Sequence, residues 1–207
     1  MQKIDLLKQY KTAYSATTQP QLIHVEEAAY ISLPGKGDPN GPLFAESTQA
    51  LYTTAYSIKM GCKAANMDFI VPKLEGLWWL ADEVEVPASD HLRALNVSRD
   101  LWRWQLLIRM PAFVTTEMFR QGLDTAIRKK QLPLLSAIAF STLTEGKCVQ
   151  MLHIGPYADE LRSIQHMHDY ITENNWQQNG LHHEIYLSDP RKTAPGKMKT
   201  ILRQPVK

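Results

Sequence analysis

One order of elements occurs twice in this chain, and a chain built that way has few folds open to it. "AAYISLPG", a helical stretch from residue 43, "LEGLWWL" and "WQLLIRMP" read as strand, helix, strand, strand. "CVQMLHIGP", a helical stretch from residue 159, "HHEIYL" and "KTILRQP" read the same way. Two anchors align the copies: Ile108-Arg109-Met110-Pro111 matches Leu202-Arg203-Gln204-Pro205, and Glu75 falls with Glu184. Two such units pair about a pseudo-twofold axis, each with helices on one sheet face and a groove bounded by the other. A sheet face without helices needs a partner, and a ligand is a common one. The expected fold is therefore α+β: tandem pseudo-symmetric strand–helix–strand–strand units, with antiparallel sheets around a central ligand cleft. It forms one domain over residues 1–207, with a first unit over about 25–111, a connecting helix and strand over about 112–145, and a second unit over about 146–206.

Periodicity sets the remaining elements. Residues 3–14 read as an amphipathic helix with Ile4, Leu7 and Tyr14 inward, and "MDFIVPK" reads as a strand. Residues 35–42, "GKGDPNGP", are turn-forming and lack the spacing of a phosphate loop. Residues 85–96 read as a loop, and 115–130 as a helix. "LSAIAFSTL" and "KCVQMLHIG" suggest a hairpin through Glu145-Gly146, and Asn179-Gly180 suggests a left-handed cap after the helix from 159. The net charge of +2 is made of scattered basic residues, which argues against direct nucleic acid binding. Charges interrupt every apolar run at the amino terminus, as they do not in a signal peptide, and no run reaches the ~20 residues of a membrane span. Cys62 and Cys148 have no metal or redox spacing and read as buried thiols of a cytoplasmic protein.

The stretch "LHHEIYLSDP" carries the chemistry. With period 2, Leu181, His183, Ile185 and Leu187 face one way, and His182, Glu184 and Tyr186 the other. If Ile185 and Leu187 pack under the helix, Glu184 and Tyr186 enter the groove, met by Glu75, Leu77 and Trp79 from the other unit. Two glutamates across an aromatic-walled cleft suit a flat, electron-poor or cationic guest. Plainer readings stand beside this one. Trp78, Trp79, Trp102 and Trp104 also suit a core, Trp104 above all, and Glu184 is equally consistent with a solvated residue or one neutralised by Arg109 or Arg203. No metal site is expected: His182 and His183 point to opposite faces, and His153 completes no ligand set. Ser188 and His182 lack the surroundings of a catalytic triad.

"LEGLWW", "HIGPY" and "HHEIYLSDPRK…KTILRQPV" resemble the GyrI-like small-molecule-binding family. Within it, the chain is similar to the stand-alone branch that includes the cyclopropanoid cyclopropyl hydrolases. The resemblance runs from "GKGDPN" to the carboxyl terminus and implies a GyrI-like or SOUL-like effector-binding fold without a cofactor. It places the central acid on Glu184 and its tyrosine neighbour on Tyr186. The second acid falls on Glu75, aromatic walls on Trp78 and Trp79, and further ligand contacts on Tyr157 and His182. The implied activity is hydrolysis of the strained cyclopropane of flat DNA-alkylating agents as self-protection, with Glu184 activating water and Tyr186 hydrogen-bonding nearby. Two rivals are a non-catalytic protein that sequesters or senses such molecules and a gyrase-modulating interaction protein. The segment before the first strand is short for a DNA-binding helix-turn-helix. The expected partner is a planar aromatic small molecule, with no membrane and with a second copy of the chain left open.

Overall fold

A computed structural model describes residues 3–81 and 97–207; the loop expected over 85–96 lies outside the described residues. Eight strands form one antiparallel sheet: β1 (Gln21–Val25), β2 (Ala28–Lys36), β3 (Glu75–Leu80), β4 (Trp102–Arg109), β5 (Ala139–Leu143), β6 (Gly146–Ile154), β7 (His182–Tyr186) and β8 (Lys199–Pro205). Their order is β1-β6-β8-β7-β3-β4-β2-β5. From the β7–β3 seam outward, each half gives the second, third and first strand of its unit and then one added edge strand. The duplication is thus built into the sheet as a pseudo-twofold arrangement.

The connection between β5 and β6 curls the sheet. These strands sit six places apart, about 29 Å if the sheet were flat. Leu143 and Gly146 are separated by three peptide steps, a reach of about 11 Å. The ends must therefore bend toward each other into a half-barrel. The expected hairpin does not form: β5 pairs with β2, whereas β6 pairs with β1 and β8. The short linker joins one edge strand, β5, to the strand next to the other edge, with Gly146 at φ +67° turning the chain.

The two faces of the sheet are covered differently. On the outer face, α3 (Pro42–Ala64) buries Ala50, Leu51, Ala55 and Ile58 over Ile31, Leu33, Trp104 and Leu106. Thr115 caps α4 (Thr116–Lys129), which packs beside α3. Further along, α5 (Glu160–Glu173) lays Met167 and Ile171 on Val149, Met151 and Leu202. The inner face is filled by the amino terminus. The single helix expected over 3–14 breaks at Tyr10 into α1 (Leu6–Gln9) and α2 (Lys11–Tyr14), and Ala13 and Tyr14 pack on Ile185 and Ile201.

This arrangement moves the groove. It was expected on the helix-free face, but that face is plugged, and the open cleft lies on the helical face between α3 and α5. Two smaller expectations also change. "MDFIVPK" makes one bridge, Ile4 to Phe69, and no strand. The residue in left-handed conformation after α5 is Asn175 at φ 57°, ahead of Asn179-Gly180.

Candidate functional site

The floor of the cleft is the seam between β3 and β7. Gly76 is level with Glu184, and Trp78 with His182. Because Gly76 has no side chain, the Trp78 indole and the Tyr186 phenol meet above it. A Cβ there would lie 3.0 Å from both Trp78 Nε1 and the Tyr186 hydroxyl. Trp78 Nε1–H donates to that hydroxyl at 3.0 Å, and Glu184 is the charged neighbour that acts most strongly on the phenol. Burial, with Glu184 and Glu160 nearby, pushes the Tyr186 phenol well above its ordinary range, so it remains a donor. The Glu184 side chain is 13% exposed, and His182 Nε2 lies 3.6 Å from its Oε1.

Aromatic rings form the walls. Phe44 of α3 stacks on Trp78 with centroids 6.0 Å apart and planes at 19°. Trp102 meets Trp78 edge-on at 5.8 Å, and Tyr157 meets Tyr186 edge-on at 5.8 Å. Tyr157, in the turn before α5, is half open to the cleft; burial and the neighbouring Glu160, Glu184 and Asp189 push its phenol up to about 12. The groove of which these walls form a part has a volume of about 2280 Å³, ample for a multi-ring guest. A second acid, Glu160, starts α5 and is only 6% exposed. Burial first, and then the charge of Glu184, push its carboxyl well above the usual carboxylate range, with Thr200 acting the other way.

Glu184, Tyr186, Trp78 and Tyr157 therefore line one cleft. His182 is buried on the same side of β7 and touches Glu184 from within the wall. Glu75 and Trp79 alternate with Gly76 and Trp78 along β3, so they fall on the opposite face. The repeat alignment explains the difference. Arg203 is level with His183, and Arg109, counted along the ladder from Leu107 and Glu75, is level with Lys73. Glu184 thus corresponds to Leu74, one residue before Glu75, and a slip of one residue reverses the face.

On the inner face Glu75 is fully buried. The Tyr14 hydroxyl donates to its Oε1 at 2.7 Å, and His183 Nε2 lies 3.1 Å from its Oε2. Glu145 bonds His183 Nδ1 at 2.9 Å and accepts from Arg203 Nη1 at 2.6 Å. Arg203 also donates to Gln150 and to the Ala13 carbonyl. Arg109 stacks on Tyr10, with its guanidinium carbon 3.7 Å from the ring centre. The arginines weighed as neutralisers of Glu184 thus serve the other face. Trp104 is core, as expected. Sequence reasoning missed Phe44 and Glu160 as cleft residues and weighed Trp102 only as core. An acid at the first position of a helix reads as a partner for the helix dipole, which hid Glu160.

Comparisons with known proteins agree with this architecture. The family model of the GyrI-like small molecule binding domain matches residues 112–207. Three solved structures from Listeria innocua resemble the whole chain. A conserved protein is 38% identical, with a TM-score of 0.88 over 99% of this chain and 100% of its own. A hydrolase is also 38% identical, with a TM-score of 0.83 over 99% of this chain and 100% of its own. A further hydrolase is 37% identical, with a TM-score of 0.85 over 100% of both chains. No curated protein is significantly similar to the chain.

Proposed function

The chain belongs to the GyrI-like small-molecule-binding family, and from that premise we propose that its cleft captures flat hydrophobic or cationic molecules and hydrolyses an activated cyclopropane carried by such a guest. The consequence is protection against DNA-alkylating compounds. One observation carries this reading: a carboxylate, Glu184, stands in the floor of an aromatic cleft beside Tyr186, which is itself held by Trp78. The hydrolases among the similar structures support a catalytic role.

In the proposed reaction the guest stacks on Trp78, Tyr186 and Tyr157, each contact contributing roughly 0.5–1.5 kcal/mol beyond area burial. A water hydrogen-bonded to Glu184 attacks the ring CH₂. The new O–C bond forms as the cyclopropane C–C bond breaks, and the electron pair moves to the conjugated carbonyl oxygen, which is protonated from solvent. Glu184 takes the proton of the water and later releases it. Tyr186 is a positioning residue: its O–H keeps one lobe of the carboxylate occupied so that the other faces the water. Ring strain supplies driving force, so placement of a single base is sufficient.

The test is turnover of a cyclopropane-bearing alkylator, followed as ring-opened product. Glu184→Gln is expected to lose about 10²–10⁴-fold in kcat, the usual contribution of a general base, with tryptophan quenching by the intact compound retained. Binding without product in the wild type would leave sequestration as the function. Absence of binding together with a stable partner chain would favour the interaction module.

A further inference from the structure

Glu160 stands apart from the other acids among the described residues. It is 6% exposed, it lines the cleft, and its Oε1 has no hydrogen-bond partner. Among the described residues no basic side chain forms an ion pair with it, although a buried carboxylate ordinarily has one. The groups that face it are these. From β7 come Glu184 and Tyr186, with His182 beside Glu184; from β8 comes Thr200, which acts to lower the carboxyl's proton affinity. Tyr157 lies in the preceding turn. His153 of β6 is engaged by Ser163 at 3.0 Å and by the Pro156 carbonyl at 3.2 Å. Across the mouth of the cleft, Asp189 and Arg191 pair with each other at 3.0 Å. Lysines and arginines also line the cleft, Lys73 and Arg99 among them, but none is among the charges that act on Glu160.

Two neighbouring carboxyl groups, one of them buried, do not both ionise readily. We infer that capture of a cation here is a proton exchange at Glu160: the empty cleft holds its carboxyl protonated, and a delocalised organic cation stacked between the aromatic walls displaces that proton. The inference rests on the reading that this cleft binds small molecules, and it deepens that reading by naming the charge class and its regulation. In the empty cleft the neutral carboxyl avoids the desolvation cost of a buried anion. When a cation arrives, its field favours the ionised form, and the cleft then offers two negative charges to one guest. A neutral planar guest brings no such field and leaves the proton in place. The cleft therefore accepts both kinds of guest and responds to pH only for the cations.

Linkage gives the sign. One proton released per cation bound makes affinity rise by about tenfold per pH unit as long as Glu160 is protonated in the free cleft. Burial and the charge of Glu184 both act to raise the pH at which this slope ends. Glu160 is thus a specificity-determining residue, and acidification turns the cleft from cations toward neutral guests.

Ethidium, a permanent planar cation with no proton of its own to lose near neutrality, is the probe. Titration calorimetry at one pH in two buffers of different ionisation heat counts the protons released, and tryptophan quenching reports binding independently. The wild type is expected to release about one proton per ethidium and to bind about tenfold more tightly for each unit of pH rise. Glu160→Gln, nearly isosteric, is expected to bind ethidium with no proton release and no such slope. The infrared carbonyl band of a protonated carboxyl, present in the empty wild type and lost when ethidium binds, gives the same reading without any variant. Quenching without proton release in the wild type, or proton release unchanged in Glu160→Gln, overturns the inference while leaving the binding site intact. No quenching at all defeats the binding reading and takes the inference with it.

Discussion

At position 76 the absence of a side chain is itself part of the site. The indole of Trp78 and the phenol of Tyr186 come from different halves of the duplicated chain, and they meet in the space a Cβ would fill. Gly76→Ala inserts a methyl 3.0 Å from both donor and acceptor, so the rings must separate by a few tenths of an ångström. Loss of one such bond costs about 1 kcal/mol, which alanine in a strand partly returns. Folding stability should therefore change little, whereas turnover, which in the proposed reaction depends on how Tyr186 aims Glu184, should fall by about tenfold to a hundredfold. A cyclopropane-hydrolysis assay beside a thermal melt separates the two effects. Gly35→Ala makes the contrasting case: its Cβ would lie 2.0 Å from the Trp104 ring, in the core beneath α3. Overpacking of that kind costs about 1–3 kcal/mol. The melting temperature should drop, while any correctly folded fraction keeps its normal kcat.

Strand β7 serves two interiors with alternate residues. Glu184 and Tyr186 face the cleft, and His183 and Ile185 face the curled inside of the sheet, where α1 and α2 fit as a plug. The plug is held by polar bonds as well as apolar ones: Tyr14 to Glu75, Arg203 to the Ala13 carbonyl, and Gln150 to the carbonyls of Thr12 and Ser15. Tyr14→Phe keeps the ring but removes the donor from a fully buried carboxylate oxygen. It should lower stability by about 1–3 kcal/mol, read as a shift in urea midpoint, and should raise protease sensitivity ahead of β1. Period 2 in "LHHEIYL" made both faces of β7 legible, because alternation is a local property of the backbone. Which face would be open was not legible. That depended on residues 6–14 docking far from their place in the chain, and on a two-residue link bending the sheet. Glu75 shows the same limit at smaller scale: matching letters between repeats tolerates an error of one position, but a strand does not. Helices α3 and α4, by contrast, fell within a few residues of their expected bounds, since their apolar spacing and the Thr115 cap lie within the segment itself.

The curl of the whole sheet buries a charged cluster whose titration should set how stability varies with pH. His183 is fully buried, which by itself would lower its basicity, but Glu145 and Glu75 outweigh burial and raise it to about 9. Glu145 is likewise pushed up by burial, yet His183 and Arg203 bring it down to about 2. Each displacement has a definite sign. The histidine is raised above its unfolded value of about 6.5, so its contribution is complete below that pH and is lost as pH rises through about 9. The glutamate is depressed, so its contribution is complete above the ordinary carboxylate range and is lost as pH falls toward about 2. The two describe largely one interaction and are not to be added. Stability should therefore be greatest at mildly acidic pH and should decline on both sides. A tenfold change in proton affinity is worth about 1.4 kcal/mol, so the alkaline loss is roughly 3 kcal/mol. Urea midpoints measured from about pH 6 to about pH 9 should fall steadily in the wild type. Glu145→Gln removes the charge that most raises His183 and leaves Arg203 without its carboxylate. That variant should begin less stable and show a flatter decline over the same range. A slope as steep as that of the wild type would mean that some other group governs the alkaline limb.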